Sequence, residues 1–430
     1  MASLSTLSAS SAMSYAAALD LVRPSSQLGR DANVSHHAAS DGPFIAFHSD
    51  FASIVGANPT LDLIASTEKS QGGNGVSLFH EAGVWAPQKK GSDQGDVYIT
   101  SNIIGNDRDG LEIKVCRLRF STSSESAARV APSKSDSSVL VVPGIEYEDL
   151  QHLADEVVMA NGATAYGSNI LWCSQGQHKK FTAPLRNKLE SSKDPKDDRV
   201  AGSLILSEPQ ADGTFKNRTL LNHFRGREFN ALNDVAVHPQ SGCIFFTDPD
   251  YGLEQGFKGP SQLPNGVWRY CPKTGALGMV ADGLCKPNGI VCSPNGKTCY
   301  VTDTDYIHGD GTMVSTRMGA IYAYDIHHYD KIPQLHNKRL FALVDCGAPD
   351  GIKVDELGNI YTGTFEGVDV YHPDGYTLGK IVIPKDDEGN QRGCANLVFG
   401  PKGKLVILSE TTVWIASIAQ SGELKGLEVA

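Results

Sequence analysis

An all-β chain folded as a six-bladed β-propeller, closed by an N-terminal strand, is the architecture this sequence predicts. Three observations lead there. One strand-pair pattern returns six times along the 430 residues. Most copies are followed by two further strand-like runs, which makes four strands per repeat, the content of a propeller blade. The last copy lacks a fourth strand, and an unassigned apolar run near the N-terminus can supply it.

Each copy consists of a polar residue, a short apolar strand, a turn bearing Gly, Asn or Pro, and a second strand rich in β-branched and aromatic residues. The clearest are LNDVAVHPQSGCIFFTDPDYG from Leu232, PNGIVCSPNGKTCYVTDTDY from Pro287 and PDGIKVDELGNIYTGTFEG from Pro349. Three fainter copies are HEAGVWAPQKKGSDQGDVYITSN from His80, ANGATAYGSNILWCSQGQH from Ala160 and ANLVFGPKGKLVILSETT from Ala395. The third and fourth strands are legible as GVWRYC and ALGMVA around PKTG, and as GVDVYH and TLGKIVI around PDG. Copies start 46 to 80 residues apart, and the excess length falls in polar stretches such as 182–199. After the last pair only TTVWIAS remains, so LDLIAST at residues 61–67 is assigned beside it, which closes the ring and removes an exposed edge.

The expected organisation is a disordered Ser/Ala-rich leader over residues 1–43 and one propeller domain over 44–430. The leader lacks a basic n-region, and Asp20 interrupts its apolar run, so it does not read as a signal peptide. Only Arg23 and Arg30 are basic there, which leaves an organellar transit peptide as the minority reading beside a cytoplasmic location. Nine cysteines show no paired spacing, and Cys243, Cys292 and Cys299 lie in apolar runs, where buried reduced thiols are expected. Asn33-Val-Ser and Asn217-Arg-Thr fit the glycosylation triplet but mean little without a secretion signal. A net charge of -11 without a Lys/Arg-rich run argues against nucleic acid. No stretch nears the roughly 20 apolar residues needed to cross a bilayer, so no membrane partner is expected. Oligomeric state is left open.

In a propeller the first strand of each blade lines the central channel, so the residues opening the copies, Glu81, Asn161, Asn233, Asn288, Asp350 and Asn396, should face the axis near one rim. Singly, each Asn-Gly, Asn-Asp or Asp-Gly reads equally well as a turn former. Together, two carboxylates and four carboxamides are repulsive or unsatisfied unless a cation sits among them. Every donor is hard oxygen, which favours Ca²⁺, with Mg²⁺ or Mn²⁺ next. Loops joining strands two and three share that face and carry His178, Asp248 to Tyr251, Asp303 to His308, and Phe365 with Glu366, which suits a small polar substrate. No Gly-x-Ser-x-Gly elbow or phosphate-binding loop competes, and His80-Glu81 does not extend to His-Glu-x-x-His.

The runs FHEAGVWAP, FRGREFNALNDVAVHP, PNGIVCSPNGKTCYVTDTD and PDGIKVDELGNIYTG resemble the gluconolactonase and regucalcin superfamily, most nearly its filamentous-fungal lactonohydrolases. The resemblance covers about residues 45 to 420. It implies a Ca²⁺-dependent six-bladed propeller whose metal is held by residues matching Glu81, Asn233, Asn288 and Asp350. Asn161 and Asn396 then become channel-lining or substrate-contacting positions. One departure stands out: the fungal lactonohydrolases usually have Asn-Gly-Gly-Thr where this chain has Asn161-Gly162-Ala163-Thr164. The loop from Asp305 to Arg317 and the insertion near Lys188 are further places where the mouth of the site can differ.

The resulting expectation is hydrolysis of a small lactone of the aldonolactone or pantolactone kind, with metal polarisation of the carbonyl and attack by water. Asp350 leads as the proton acceptor, with His80 and Asp303 also assigned as catalytic candidates, and Asn161, His178, Tyr251, His308 and Glu366 as substrate-binding candidates. Strand alternation turns His80 away from the axis, so a core histidine is an equal reading for it. Two alternatives stay open: a metal-dependent isomerase or cyclase using the same site, and a non-catalytic propeller that serves as a binding scaffold.

Overall fold

The computed structural model describes residues 42–89, 91–106, 110–121, 130–178, 199–329, 331–401 and 403–422. Six antiparallel sheets surround a central channel, one for each predicted copy. From the axis outward, blade 1 runs Glu81–Pro87, Gly95–Thr100, Val115–Phe120 and Ile145–Asp149. Blade 2 runs Ala160–Tyr166, Asn169–Ser174, Ser203–Pro209 and Phe215–Leu221. Blade 3 runs Val235–Val237, Ile244–Asp248, Gly266–Cys271 and Ala276–Ala281, and blade 4 runs Pro287–Cys292, Thr298–Asp303, Ala320–Tyr329 and Ile332–Leu343. Blade 5 comprises Ile352–Val354, Ile360–Thr364, Gly367–Tyr371 and Thr377–Val382, and blade 6 begins Asn396–Phe399, Lys404–Ser409 and Thr412–Ser417.

Closure follows the expectation. Thr60–Ser66 pairs with Thr412–Ser417, Leu61 opposite Ala416 and Asp62 opposite Ile415, and becomes the fourth strand of blade 6. Two additions were not legible. Phe44–Ala46 lies along Thr377–Val382 as a fifth strand of blade 5, and Leu140–Val141 with Ala131–Pro132 extends blade 6 to six strands. These short pieces cover edges that four-stranded blades leave unpaired. The leader expected over 1–43 lies outside the described residues up to residue 41, as do Lys188 and most of the 182–199 stretch.

The core is divided by the blade interfaces. Six of the apolar clusters each join two neighbouring blades, blade 1 to 6, 5 to 6, 1 to 2, 2 to 3, 3 to 4 and 4 to 5. Strand alternation explains how one strand serves two interfaces: Phe246 packs toward blade 2 while its neighbour Phe245 packs toward blade 4. Both rings are fully buried, each contributing on the order of 2–3 kcal/mol, and this double burial is why the second strands read as unbroken apolar runs.

Cys243 corrects the expectation of reduced thiols, since it forms a disulfide with Cys271. The register sets Ile244 opposite Tyr270, so the two cysteines face each other across strands two and three of blade 3, with Cα atoms 4.3 Å apart. Sequence spacing alone cannot show a pairing that depends on register. Cys292 and Cys299 are free and buried, as expected. No helix among the described residues is long and apolar enough to cross a membrane.

Candidate metal centre and its surroundings

The Asn-Gly and Asp-Gly pairs that open the copies are not turns. Asn161 and Gly162 lie inside the strand Ala160–Tyr166, and Asn288 and Gly289 inside Pro287–Cys292, each with a register shift at that point. The glycine is needed for close approach between blades. A Cβ on Gly162 would stand 2.5 Å from the Asn233 carbonyl oxygen, one on Gly289 2.5 Å from that of Asp350, and one on Gly351 2.4 Å from the Asn396 side chain. Threonines on the second strands tie the ring further. Thr100 donates its hydroxyl to the Asn161 carbonyl at 3.2 Å, Thr247 to that of Asn288 at 2.7 Å, and Thr302 to that of Asp350 at 2.8 Å. Each bond runs from one blade to the opening residue of the next, so the polar ring is set by backbone contacts.

Within that ring the side chains divide in two. Asn161 and Asn396 use Oδ1 to accept the N–H of the following residue, Gly162 at 2.9 Å and Leu397 at 2.8 Å. Asp234, beside Asn233, does the same with Val235 at 2.8 Å and also accepts Ile290 N–H at 3.1 Å. Asn233, Asn288 and Asp350 each keep a buried Oδ1 with no hydrogen-bond partner. Glu81 is 2% exposed, and its Oε2 accepts from Asn396 Nδ2 at 2.6 Å. Three orphaned oxygens beside a buried carboxylate are costly as they stand, and a hard cation is the group they fit.

The electrostatics agree. Burial, then the Asp350 charge, pushes the Glu81 carboxyl well above the usual carboxylate range. Burial also raises Asp350 to about 6, against the opposing pull of His80. Two buried carboxyls both held above the usual range mark a place where negative charge lacks compensation. Among the described residues no group of three or more His, Cys, Asp or Glu is arranged for a metal, because Asn supplies half of this donor set.

Of the other predicted residues, His80 and Tyr251 are brought to the ring. His80 precedes its strand, so alternation does not turn it away, and its Nδ1 lies 2.6 Å from Glu410 Oε1. Burial alone would lower its pKa, but Glu410, with smaller contributions from Glu81 and Asp350, raises it to about 10. Tyr251 is buried, its hydroxyl 3.5 Å from Asn288 Nδ2, and burial with the Asp350 charge pushes its phenol up.

The remaining candidates have other partners. Asp303 accepts the N–H groups of Cys285 at 3.0 Å and Lys286 at 2.8 Å, and so ties the entry to its own blade. Asp248 does the same for Asn230 and Ala231 in blade 3. Glu366 lies in blade 5 with Lys380, at 3.1 Å, in a cluster with buried Asp369 that the exposed Asp345 completes from the surface. His178 is bonded through Nε2 to Glu228 at 2.8 Å, and its Nδ1 accepts Gly259 N–H at 3.2 Å. His308 stands 3.6 Å from Asp305 and 3.9 Å from Glu254, in a loop whose Gly309 N–H is accepted by Glu254 at 2.7 Å, and Glu254 is itself paired with Lys286. Glu410 was missed, since its 330-residue separation from His80 leaves no local signal.

Residues 201–411 match the family model described as the SMP-30/Gluconolactonase/LRE-like region. Lactonohydrolase oryL of Aspergillus oryzae is 38% identical over 184 residues, 39% of this chain and 41% of that protein. Gluconolactonase of Zymomonas mobilis is 30% identical over 219 residues, 49% of this chain and 56% of that protein. The matches thus span about half the length of these curated relatives. A solved gluconolactonase from Xanthomonas campestris shares the fold with a TM-score of 0.53 at 21% identity, over 87% of this chain and 94% of that one. The matched region holds Asn233, Asn288 and Asp350, while Glu81 precedes it. Residues 201–411 are thus similar to the SMP-30/Gluconolactonase/LRE-like region, and in this chain they form part of a closed six-bladed propeller.

Proposed function

We propose that this protein is a Ca²⁺-dependent hydrolase that opens the ester ring of a small lactone. The observation that carries the reading is the set of unpartnered buried oxygens of Asn233, Asn288 and Asp350 beside Glu81. The curated relatives named lactonohydrolase and gluconolactonase support the substrate class. Glu81, Asn233, Asn288 and Asp350 would hold the ion. Bound Ca²⁺ would supply Lewis-acid polarisation of the lactone carbonyl.

This chain's own residues do the rest. Asp350 accepts the proton of the attacking water. His80, a donor held by Glu410, returns a proton to the departing alkoxide. Tyr251 places its hydroxyl beside Asn288, where it can orient a ring hydroxyl of the substrate. Asn161 and Asn396 brace the ring, and Asn396 fixes the direction of Glu81. The propeller domain over 44–430 is the proposed catalytic unit.

The test is pH-stat acid release from a panel of aldonolactones and pantolactone, with EDTA treatment and Ca²⁺ add-back. Turnover that EDTA abolishes and Ca²⁺ restores is the expected result. Full turnover after EDTA would remove the metal from the mechanism, and no acid release with Ca²⁺ present would overturn the hydrolase reading.

A further inference from the structure

We propose that Glu410 is the positioning residue of His80, kept in a strained turn for that contact. The proposal deepens the lactonase reading and rests on it. Glu410 and Thr411 form the two-residue turn between Lys404–Ser409 and Thr412–Ser417, with Ser409 paired to Thr412. Glu410 has φ 56°, in the left-handed region that Gly, Asn and Asp occupy most readily. A glutamate there costs about 1–2 kcal/mol relative to glycine, so its side chain needs a reason to be present.

The reason is legible in its contacts. Oε1 meets His80 Nδ1 at 2.6 Å, and Oε2 accepts from Asn102 Nδ2 at 3.2 Å. The Glu410 carbonyl accepts Phe79 N–H at 2.8 Å, and His80 N–H goes to the Thr100 carbonyl at 3.0 Å. Blade 6 therefore holds the ring of His80 and the backbone just before it, while blade 1 holds its own backbone. At 2.6 Å the pair is short enough for a charge-assisted hydrogen bond, with a Glu410 carboxylate oxygen as the acceptor and Nδ1–H as the donor. With Nδ1 committed to Glu410, Nε2 is the nitrogen left for substrate. The contact also crosses the seam where the ring closes, so His80 is oriented only in a closed propeller.

Two variants of the full chain test this, Glu410→Asn, which suits the left-handed backbone but cannot reach His80, and Glu410→Gln, which keeps the length. Glu410→Asn should hold or raise the thermal midpoint while kcat on the best lactone falls about tenfold to a hundredfold. KM and the Ca²⁺ dissociation constant should change less than about threefold on the same scale. Glu410→Gln should recover part of kcat. A downfield His80 Nδ1–H resonance, present in the wild type and lost in Glu410→Asn, reads the contact without turnover. A lowered midpoint with kcat intact, or Gln no better than Asn, would overturn the positioning role. A wild-type chain that turns over no lactone defeats the functional reading, and this proposal with it, whatever the variants do.

Discussion

At the scale of single residues, the repulsion between Glu81 and Asp350 makes a sharp prediction. Without metal, Asp350→Asn should be more stable than the wild type by about 1–3 kcal/mol, because a buried like-charge pair is relieved. With saturating Ca²⁺ the order should reverse, since only the wild type gains the binding free energy. Thermal melts of both chains in EDTA and in Ca²⁺ check this, and parallel curves would sink the metal assignment. Asp248 gives a pH prediction at a distance from that centre. Burial, opposed by the N–H groups of Asn230 and Ala231, raises its pKa from 3.8 to about 7. Between those values the unfolded chain releases the proton and the folded chain keeps it, so this group lowers stability as pH rises from about 4 to 7. Relative to Asp248→Asn, the wild type should lose up to about 4 kcal/mol over that window in chemical unfolding. A pH-independent difference would show that the carboxyl ionises normally. Asp248 and Asp303 also show what residue type cannot reveal: both look like site acids, and both are spent on loop N–H groups.

At the scale of the element, the inner strands depend on glycines that follow the polar positions. Gly289→Ala would put a methyl 2.5 Å from the Asp350 carbonyl oxygen, so blade 4 and blade 5 must separate. The expected loss is about 1–3 kcal/mol of stability, with weaker Ca²⁺ binding because Asn288 and Asp350 move apart. Gly213→Ala is the control: its φ of +86° brings strain, but the space around it is open, so stability falls by about 1 kcal/mol with Ca²⁺ binding unchanged. Equal Ca²⁺ affinities in the two variants would count against the inter-blade account. The strands were legible because apolar runs and turn dipeptides recur. The bulges were not, since Asn288-Gly289 looks the same in a turn and in a strand, and only the neighbouring backbone distinguishes them.

At the scale of the molecule, closure is the feature most exposed to test. Thr60–Ser66 is the fourth strand of blade 6, and its Ile64 and Ala65 pack in the interface with blade 1. A chain begun at Glu68 should therefore lose cooperative unfolding and self-associate through the bared edge of Thr412–Ser417. A chain begun at Gly42 keeps every described strand and should melt like the full protein. Light scattering and calorimetry of the two truncations separate these outcomes, and a monomeric, cooperatively folded chain from Glu68 would refute the need for closure.

The sequence by itself determined the number of blades, the strand that closes them and the ring of six polar positions, because each is written in local periodicity that repeats. Tertiary structure alone decided which of those six keep an oxygen for a cation. Asn161 and Asn396 spend Oδ1 on the N–H of the next residue while Asn233 and Asn288 do not, a choice made by the local backbone of each inner strand and not by residue type. The same holds for Cys243 with Cys271 and for His80 with Glu410. In each pair the partners meet through sheet register or ring closure, long-range contacts that leave no trace in the residues beside them.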